Sequence, residues 1–172
     1  MKVRLSDFSE CWAQMFHDES QFLKTIFGDE IIIFEHFGST SVKGMMAKPV
    51  IDMMCIVKDI EKIDSFNEKM DFLGYDVAGE LGIPGRRLFR KGGEDRTHHI
   101  HFYQQNNPHI ERHLIFRDYL RTYPQEAAKY SDFKKQLARQ FDDTREYSMA
   151  KKHFVKEMEQ KALLWFQKSQ QK

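Results

Sequence analysis

The sequence predicts an α+β fold, a mixed β-sheet flanked by helices and followed by a helical C-terminal third. Three observations lead there. Short apolar runs alternate with segments of helical period through the first 108 residues. Their order is α, β, β, α, β, β, β, which calls for a mixed sheet. After Pro108 every segment has a helical period. The 15 Phe supply a core from few residues, since each aromatic ring buries roughly 150–250 Å².

Taken in order, residues 9–27 form the first helix. Ser9 caps it, and Trp12, Met15, Phe16, Phe22, Leu23 and Ile26 recur at helical spacing. EIIIFEHF (30–37) is a strand rich in Ile and Phe. The loop GSTSVKGMMAKP leads to a second strand, VIDMMCIV, whose near-continuous apolar character suits a strand buried on both faces. Asp59 caps a helix with the stripe Ile60, Ile63, Phe66, Met70 and Leu73, closed by Gly74. Strands follow near 75–79, 87–91 and 98–104, joined by GIPG and KGGED turns. Pro124 fits the first turn of a helix, and Asp142 or Asp143 caps a last helix carrying Tyr147, Phe154, Met158, Leu163 and Trp165. The helical part is expected to pack on the sheet, because no linker-like stretch precedes it.

The chain of 172 residues is 41% hydrophobic and 31% charged, enough for one compact domain: residues 1–108 as sheet-containing core, 109–172 as helical extension. A net charge of +1 argues against a dedicated nucleic-acid binder. From His109 onward there are 14 Lys and Arg against 9 Asp and Glu, which is either a solvated helical surface or a rim that attracts phosphate. Cys11 and Cys55 show no disulfide or metal spacing and are expected in the core. The start MKVRLSDFSE lacks a signal-peptide run, and no apolar stretch approaches membrane-spanning length. A cytoplasmic protein without a membrane partner is the expectation.

Three groups of residues carry candidate chemistry. Gly38, Ser39, Thr40 and Ser41 come directly after a strand, where glycine admits a ligand close to the backbone and hydroxyls suit phosphate oxygens. Asp52 lies early in the next apolar strand, where a carboxylate needs a cationic partner. Strand, Gly-Ser, short excursion and a strand with an embedded Asp is the pattern of the nucleotidyltransferase superfamily, in which Ser holds a triphosphate and carboxylates hold Mg²⁺. The chain departs from that pattern: Val50 and Met54 stand two residues either side of Asp52, where a second Asp is usual. Next, His99 and His101 in THHIHFY share one strand face, opposite His98 and Ile100. With Asp52 they would form a mixed oxygen and nitrogen site better suited to Mn²⁺, Zn²⁺ or Fe²⁺ than to Mg²⁺, with His99 as metal ligand or base. Finally, Lys48 lies between GSTS and Asp52, and Arg86 and Arg87 follow the GIPG turn; Arg forks suit phosphate. Arg117 and Arg121 share a helix face, as do Tyr147 and Lys151.

The stretch EHFGSTSVKGMMAKPVIDMMCIV resembles the GrpB family's signature, and GIPGRRLFRKG, THHIHFY, FRDYLRTYPQEAAKYSDFK and Tyr147–Lys151 resemble its later pieces in the same order. Lys43 replaces a Pro frequent in the family. The family also occurs attached to dephospho-coenzyme A kinase. The resemblance implies a nucleotidyltransferase-like fold. It carries over Glu35, His36, Gly38, Ser39, Thr40, Ser41, Lys48, Asp52, Arg86, Arg87, His99, His101, Arg117 and Lys151 as motif residues. The combined expectation is a metal-dependent nucleotidyl- or phosphoryl-transferase acting on a nucleotide or small phosphorylated molecule. A non-catalytic binding module and a hydrolase using the histidine pair are the alternatives.

Overall fold

The computed structural model describes residues 4–171. The Ser9 hydroxyl accepts the Cys11 N–H at 3.2 Å and so opens helix α1 (Cys11–Phe27). Strand β1 (Ile31–Phe37) runs antiparallel to β2 (Ile51–Val57). The single helix expected after Asp59 is split into α2 (Ile60–Ile63) and α3 (Asn67–Phe72) by a 3₁₀ turn at 64–66. At that turn Asp64 pairs with Arg87, and Phe66 packs on Phe27 with ring centroids 4.5 Å apart. Leu73, expected in the stripe, is exposed. Then come β3 (Asp76–Gly79), β4 (Arg86–Lys91) and β5 (His98–Gln104).

The strand order is β1-β2-β5-β4-β3, with β2 and β5 parallel and the other neighbours antiparallel. The mixed sheet therefore has its most apolar strand next to its centre, as a strand covered on both sides requires. Alternation divides β2 cleanly. Ile51, Met53, Cys55 and Val57 join Ile100, Phe102 and Phe89 under α1, α2 and α3, against Trp12, Leu23, Phe27, Ile63 and Met70. Each of these large side chains contributes roughly 1.5–3 kcal/mol by leaving water. The opposite face carries Asp52, Met54 and Ile56, and beside them His99, His101 and Tyr103.

The last third is three helices: α4 (Pro108–Thr122), α5 (Pro124–Gln140) and α6 (Thr144–Gln170). Proline stands in the first turn of α4 and α5, where its missing N–H costs nothing. Asn107 caps α4, and the Asp143 carboxylate accepts the N–H groups of Arg145 and Glu146 at 2.8 and 3.3 Å. These helices share a core of their own, with Ile115, Tyr119, Leu120, Tyr130 and Met158 at its centre. They meet the sheet through α4, whose Ile110 and His113 pack on Phe37 and Tyr103, and through the loop after β1, whose Val42 and Met45 are buried among the helices. One core assignment fails, and one apolar residue of the last helix stays outside the core. Cys11 is exposed, because it faces out from the start of α1, and Leu163 is 47% exposed on α6. Among the described residues no helix is long and apolar enough to cross a membrane.

Candidate functional site

The strand register brings the first two groups together. Phe37 on β1 and His99 on β5 are the Cα neighbours of Asp52 on either side. The chain leaves β1 through Gly38 at φ +72°. A Cβ there would lie 2.7 Å from Asp52 Oδ2 and 3.1 Å from its Cβ, so glycine is required twice, for conformation and for space. The next three residues form a 3₁₀ turn, with the Ser41 N–H donating to the Gly38 carbonyl at 3.1 Å. Thr40 is buried and bonded to His36 Nε2 at 2.9 Å, and the Ser41 hydroxyl donates back to the Gly38 carbonyl. These two therefore build the turn. His36 stacks on Phe16 from behind, and burial with the nearby Arg121 charge lowers its pKa to about 4, so it braces the turn as a neutral ring.

Ser39 faces a cluster of lysines. Lys134 of α5, 2% exposed, donates through Nζ to Ser39 Oγ and to the Met46 carbonyl, both at 2.7 Å, and lies 4.4 Å from the Tyr130 ring centroid. Lys48 and Lys151 lie over the Tyr147 ring at 5.8 and 5.3 Å. Desolvation, helped by mutual repulsion, lowers Lys134 to about 7 and Lys151 to about 8, and it lowers Lys48 against the pull of Asp52. The Tyr147 hydroxyl is buried without a hydrogen-bond partner among the described residues. Three desolvated ammoniums thus crowd beside an orphan hydroxyl, an arrangement whose mutual repulsion an anion would relieve.

Asp52 also meets the histidines. Burial pushes its carboxyl up, but the His101 hydrogen bond, with the neighbouring imidazoles and the Lys151 ammonium, outweighs that and holds it below its usual value. His101 Nε2 lies 3.3 Å from Asp52 Oδ1, and His99 Nδ1 lies 3.8 Å from the same oxygen. Arg86 Nη1 donates to His101 Nδ1 at 3.4 Å, which leaves Nε2 to carry the proton toward Asp52. Burial lowers the pKa of His99.

Two cavities open on this cluster. One, of about 300 Å³, is walled by Phe37, His101, His113, Phe116 and Tyr130. The other, of about 110 Å³, is walled by Lys48, Lys134, Tyr147 and His99. Ser39, Asp52 and Lys151 line both.

The structure thus gathers Gly38, Ser39, Lys48, Asp52, His99, His101 and Lys151 at one place, with Thr40 lining the smaller cavity. It does not bring the others to it in the form expected. Arg87 lies on the opposite sheet face, beside Phe102 and Phe89, and its guanidinium holds Asp64 at 2.7 Å. Arg86 is on the right face but buried, its fork occupied by the Glu80 and Leu81 carbonyls and by His101. Arg117 reaches the larger cavity, yet Glu35 at 2.7 Å, the His36 carbonyl and Asp118 take up its donors. Ser41 lines neither cavity. The three-ligand centre of Asp52, His99 and His101 is not formed either. Both rings aim at one carboxylate oxygen, and among the described residues no three His, Cys, Asp or Glu side chains are placed to share an ion. The donor set fits a hard cation that brings phosphate oxygens with it and takes one protein carboxylate. It does not fit a protein-caged Zn²⁺. Four residues that line these cavities escaped the sequence reading: Lys134, His113, Phe116 and Tyr130. Burial and Arg112 lower His113 to about 3, so it lines the larger cavity as a neutral ring.

A family model described as GrpB protein matches residues 2–161. The chain belongs to the GrpB family. It is 49% identical over 165 residues to the UPF0157 protein YqkA of Bacillus subtilis (strain 168), an alignment that covers 95% of this chain and 48% of that protein. The chain therefore spans about half the length of that relative. The crystal structure of the conserved protein GrpB from Enterococcus faecalis superposes with a TM-score of 0.90 at 42% identity, covering 95% of this chain and 99% of that one. Beyond the family, Cid1, studied for its RNA terminal uridylyl transferase activity, superposes with a TM-score of 0.52 at 15% identity over 77% of this chain and 42% of that one. That likeness shows a shared fold, so the fold of this chain is nucleotidyltransferase-like.

Proposed function

We propose that this chain binds a nucleoside triphosphate across the two joined cavities and transfers its nucleotidyl or phosphoryl group to a small acceptor. One observation carries the reading. An aromatic chamber and a cationic chamber meet at Ser39, Asp52 and Lys151, which is the shape of a base, a phosphate chain and a reacting phosphorus between them. His113, Phe116 and Tyr130 would stack against the base. Ser39, Lys134, Lys151 and the Tyr147 hydroxyl would hold the phosphates. Mg²⁺ or Mn²⁺ arriving with those phosphates would rest on Asp52 and neutralise charge on the phosphate oxygens. Cid1, with the same fold, has been seen bound to MgATP.

In nucleotidyl transfer the acceptor hydroxyl oxygen bonds to the α-phosphorus while the α–β bridging bond breaks. Pyrophosphate leaves with that bond's electron pair, and the hydroxyl proton goes to a base. His99 is suited to take it, because burial keeps the ring neutral and it stands beside Asp52. Charge developing on the phosphates meets ammoniums already in position, which is the efficient way to lower such a barrier.

Met54, the next residue of β2 on the Asp52 face, favours one further reading. Without a second carboxylate there, the same pocket could bind nucleotide and transfer nothing. Thermal shift with ATP, GTP, CTP, UTP and coenzyme A precursors, each with Mg²⁺, Mn²⁺ or Zn²⁺, tests binding. Ligand at about 100 times its dissociation constant stabilises the fold by roughly 2.7 kcal/mol. Loss of the shift in Lys134→Gln supports the phosphate assignment. Pyrophosphate release that disappears in Asp52→Asn supports transfer. Binding with no pyrophosphate released from any acceptor tried would leave the module, and no shift with any nucleotide would refute both.

A further inference from the structure

A third cavity, of about 280 Å³, adjoins the cationic chamber and shares Lys48, Val50 and His99 with it. Its remaining wall is Arg4, Arg90 and Arg96, Pro49 and Thr144, the first residue of α6. Among the described residues no carboxylate lines it. The carboxylates nearby sit behind the arginines: Asp76 accepts from Arg90 Nε at 2.9 Å and from Arg96 Nη2 at 3.2 Å, and Asp95 accepts from Arg4 at 2.9 Å. Three arginines thus meet two carboxylates, Arg90 giving Asp76 both its Nε and Nη2, and Lys48 adds a fourth cation to the wall; the carboxylates fix the forks and do not fill the groove. Arg90 is on the Asp52 face of the sheet, as the Cα neighbour of His99.

We propose that this groove binds the phosphate of the acceptor, a small phosphate monoester, so that its nucleophilic hydroxyl reaches the His99 side of the donor. The inference rests on the nucleotide reading above and adds the class of the second substrate. Arg4 and Arg96, each held by its carboxylate through one terminal nitrogen, keep donors that suit a dianionic phosphate better than a single carboxylate. The volume is that of a small-molecule site, too small for a nucleic-acid duplex. His99 lies on the boundary of the donor and acceptor spaces, where a base for the acceptor hydroxyl has to be. The acceptor's phosphate is a handle and is not altered; the bond changes are those already given, at the donor's α-phosphorus.

Titration calorimetry on the full chain tests this, with ribose 5-phosphate as the probe, ribose as the neutral control, and ATP with Mg²⁺ as the donor. Ribose 5-phosphate is expected to bind with or without saturating ATP, at one equivalent, and ribose is not. Arg4→Gln with Arg96→Gln should weaken the sugar phosphate at least tenfold and leave ATP within about twofold. Arg4→Gln alone, at an exposed pair, should give a smaller loss in the same direction and guards against misfolding, which a thermal melt would reveal. Competition between ribose 5-phosphate and ATP would overturn the proposal, because the groove would then belong to the donor. So would affinity unchanged in both arginine variants, or no binding to the wild type at millimolar concentration. If ATP fails to bind while ribose 5-phosphate keeps its arginine dependence, the nucleotide reading falls and the anion groove stands.

Discussion

Nucleotide affinity should fall steeply as pH rises from 7 to 9. In the free protein Lys134 has its pKa lowered to about 7 and Lys151 to about 8, from an ordinary 10.5, chiefly by desolvation. At pH 9 both are largely neutral. A phosphate bound between them restores both ammoniums, so binding takes up protons, and affinity must fall with pH wherever uptake occurs. With both ammoniums fully restored, Lys134 accounts for a little under two powers of ten between pH 7 and 9 and Lys151 for about one. The sum is roughly 2.7 powers of ten, or about 3.7 kcal/mol, as an upper value. The same shifts act on the free fold with a definite sign. Between pH 7 and 10.5 the unfolded chain holds protons that the folded lysines have released, so their contribution to stability grows as pH rises through that window. Calorimetry at pH 8.5 in two buffers of different ionisation heat reads the uptake directly. Heat independent of buffer, together with flat affinity from pH 7 to 9, would refute the assignment of phosphates to this lysine cluster.

Three further outcomes follow from the geometry. Gly38→Ala should lower stability by about 1–3 kcal/mol in denaturant melts, since it forces alanine to φ +72° and against Asp52, and nucleotide binding should fall with it. Arg117→Ala breaks a largely buried pair with Glu35 and should cost about 3 kcal/mol or more, whereas Arg87→Ala removes a partly exposed pair, should cost under about 1 kcal/mol, and should leave nucleotide affinity unchanged; equal costs would contradict the two placements. Native alkylation should label Cys11 alone, because Cys55 is fully buried and desolvation pushes its thiol well up, with a second label appearing only in denaturant.

What could be read in the sequence is what depends on local period and on strand parity. The run Ile51–Val57 announces a strand buried on both faces, and the Asp inside it announces a partner. The alternation in His98–Gln104 places His99 and His101 on one side without any knowledge of the fold. Parity does not say which of Arg86 and Arg87 faces Asp52. That depends on the register of β4 against β5, set by the turns and by Phe89 entering the core. Lys134 was illegible for a different reason. It sits in FKK on an amphipathic helix, chemically identical to its neighbour Lys135, and only the packing of α5 against the Ser39 turn buries one and exposes the other. His113 likewise reads as a solvent-facing side chain of α4 until Phe37 and Tyr103 are seen packed against its ring. At the break between α2 and α3 stands a tertiary pair, Asp64 with Arg87, that no local pattern contains.

The loop after β1 anchors itself in both layers. Ser39 is held by Lys134 of α5, the Ser41 carbonyl by Arg121 of α4, Val42 and Met45 by the helical core, the Met46 N–H by Ser131, and Ala47 by Ser6 at the edge of the sheet layer. Loosening of the helices by heat, truncation or a cavity in their core is therefore transmitted to the ligand-facing turn while the strands are still intact. Affinity becomes an early-warning gauge for that layer: on warming, ligand is released first, then the α5 and α6 amides lose their exchange protection, and the five strands give way last.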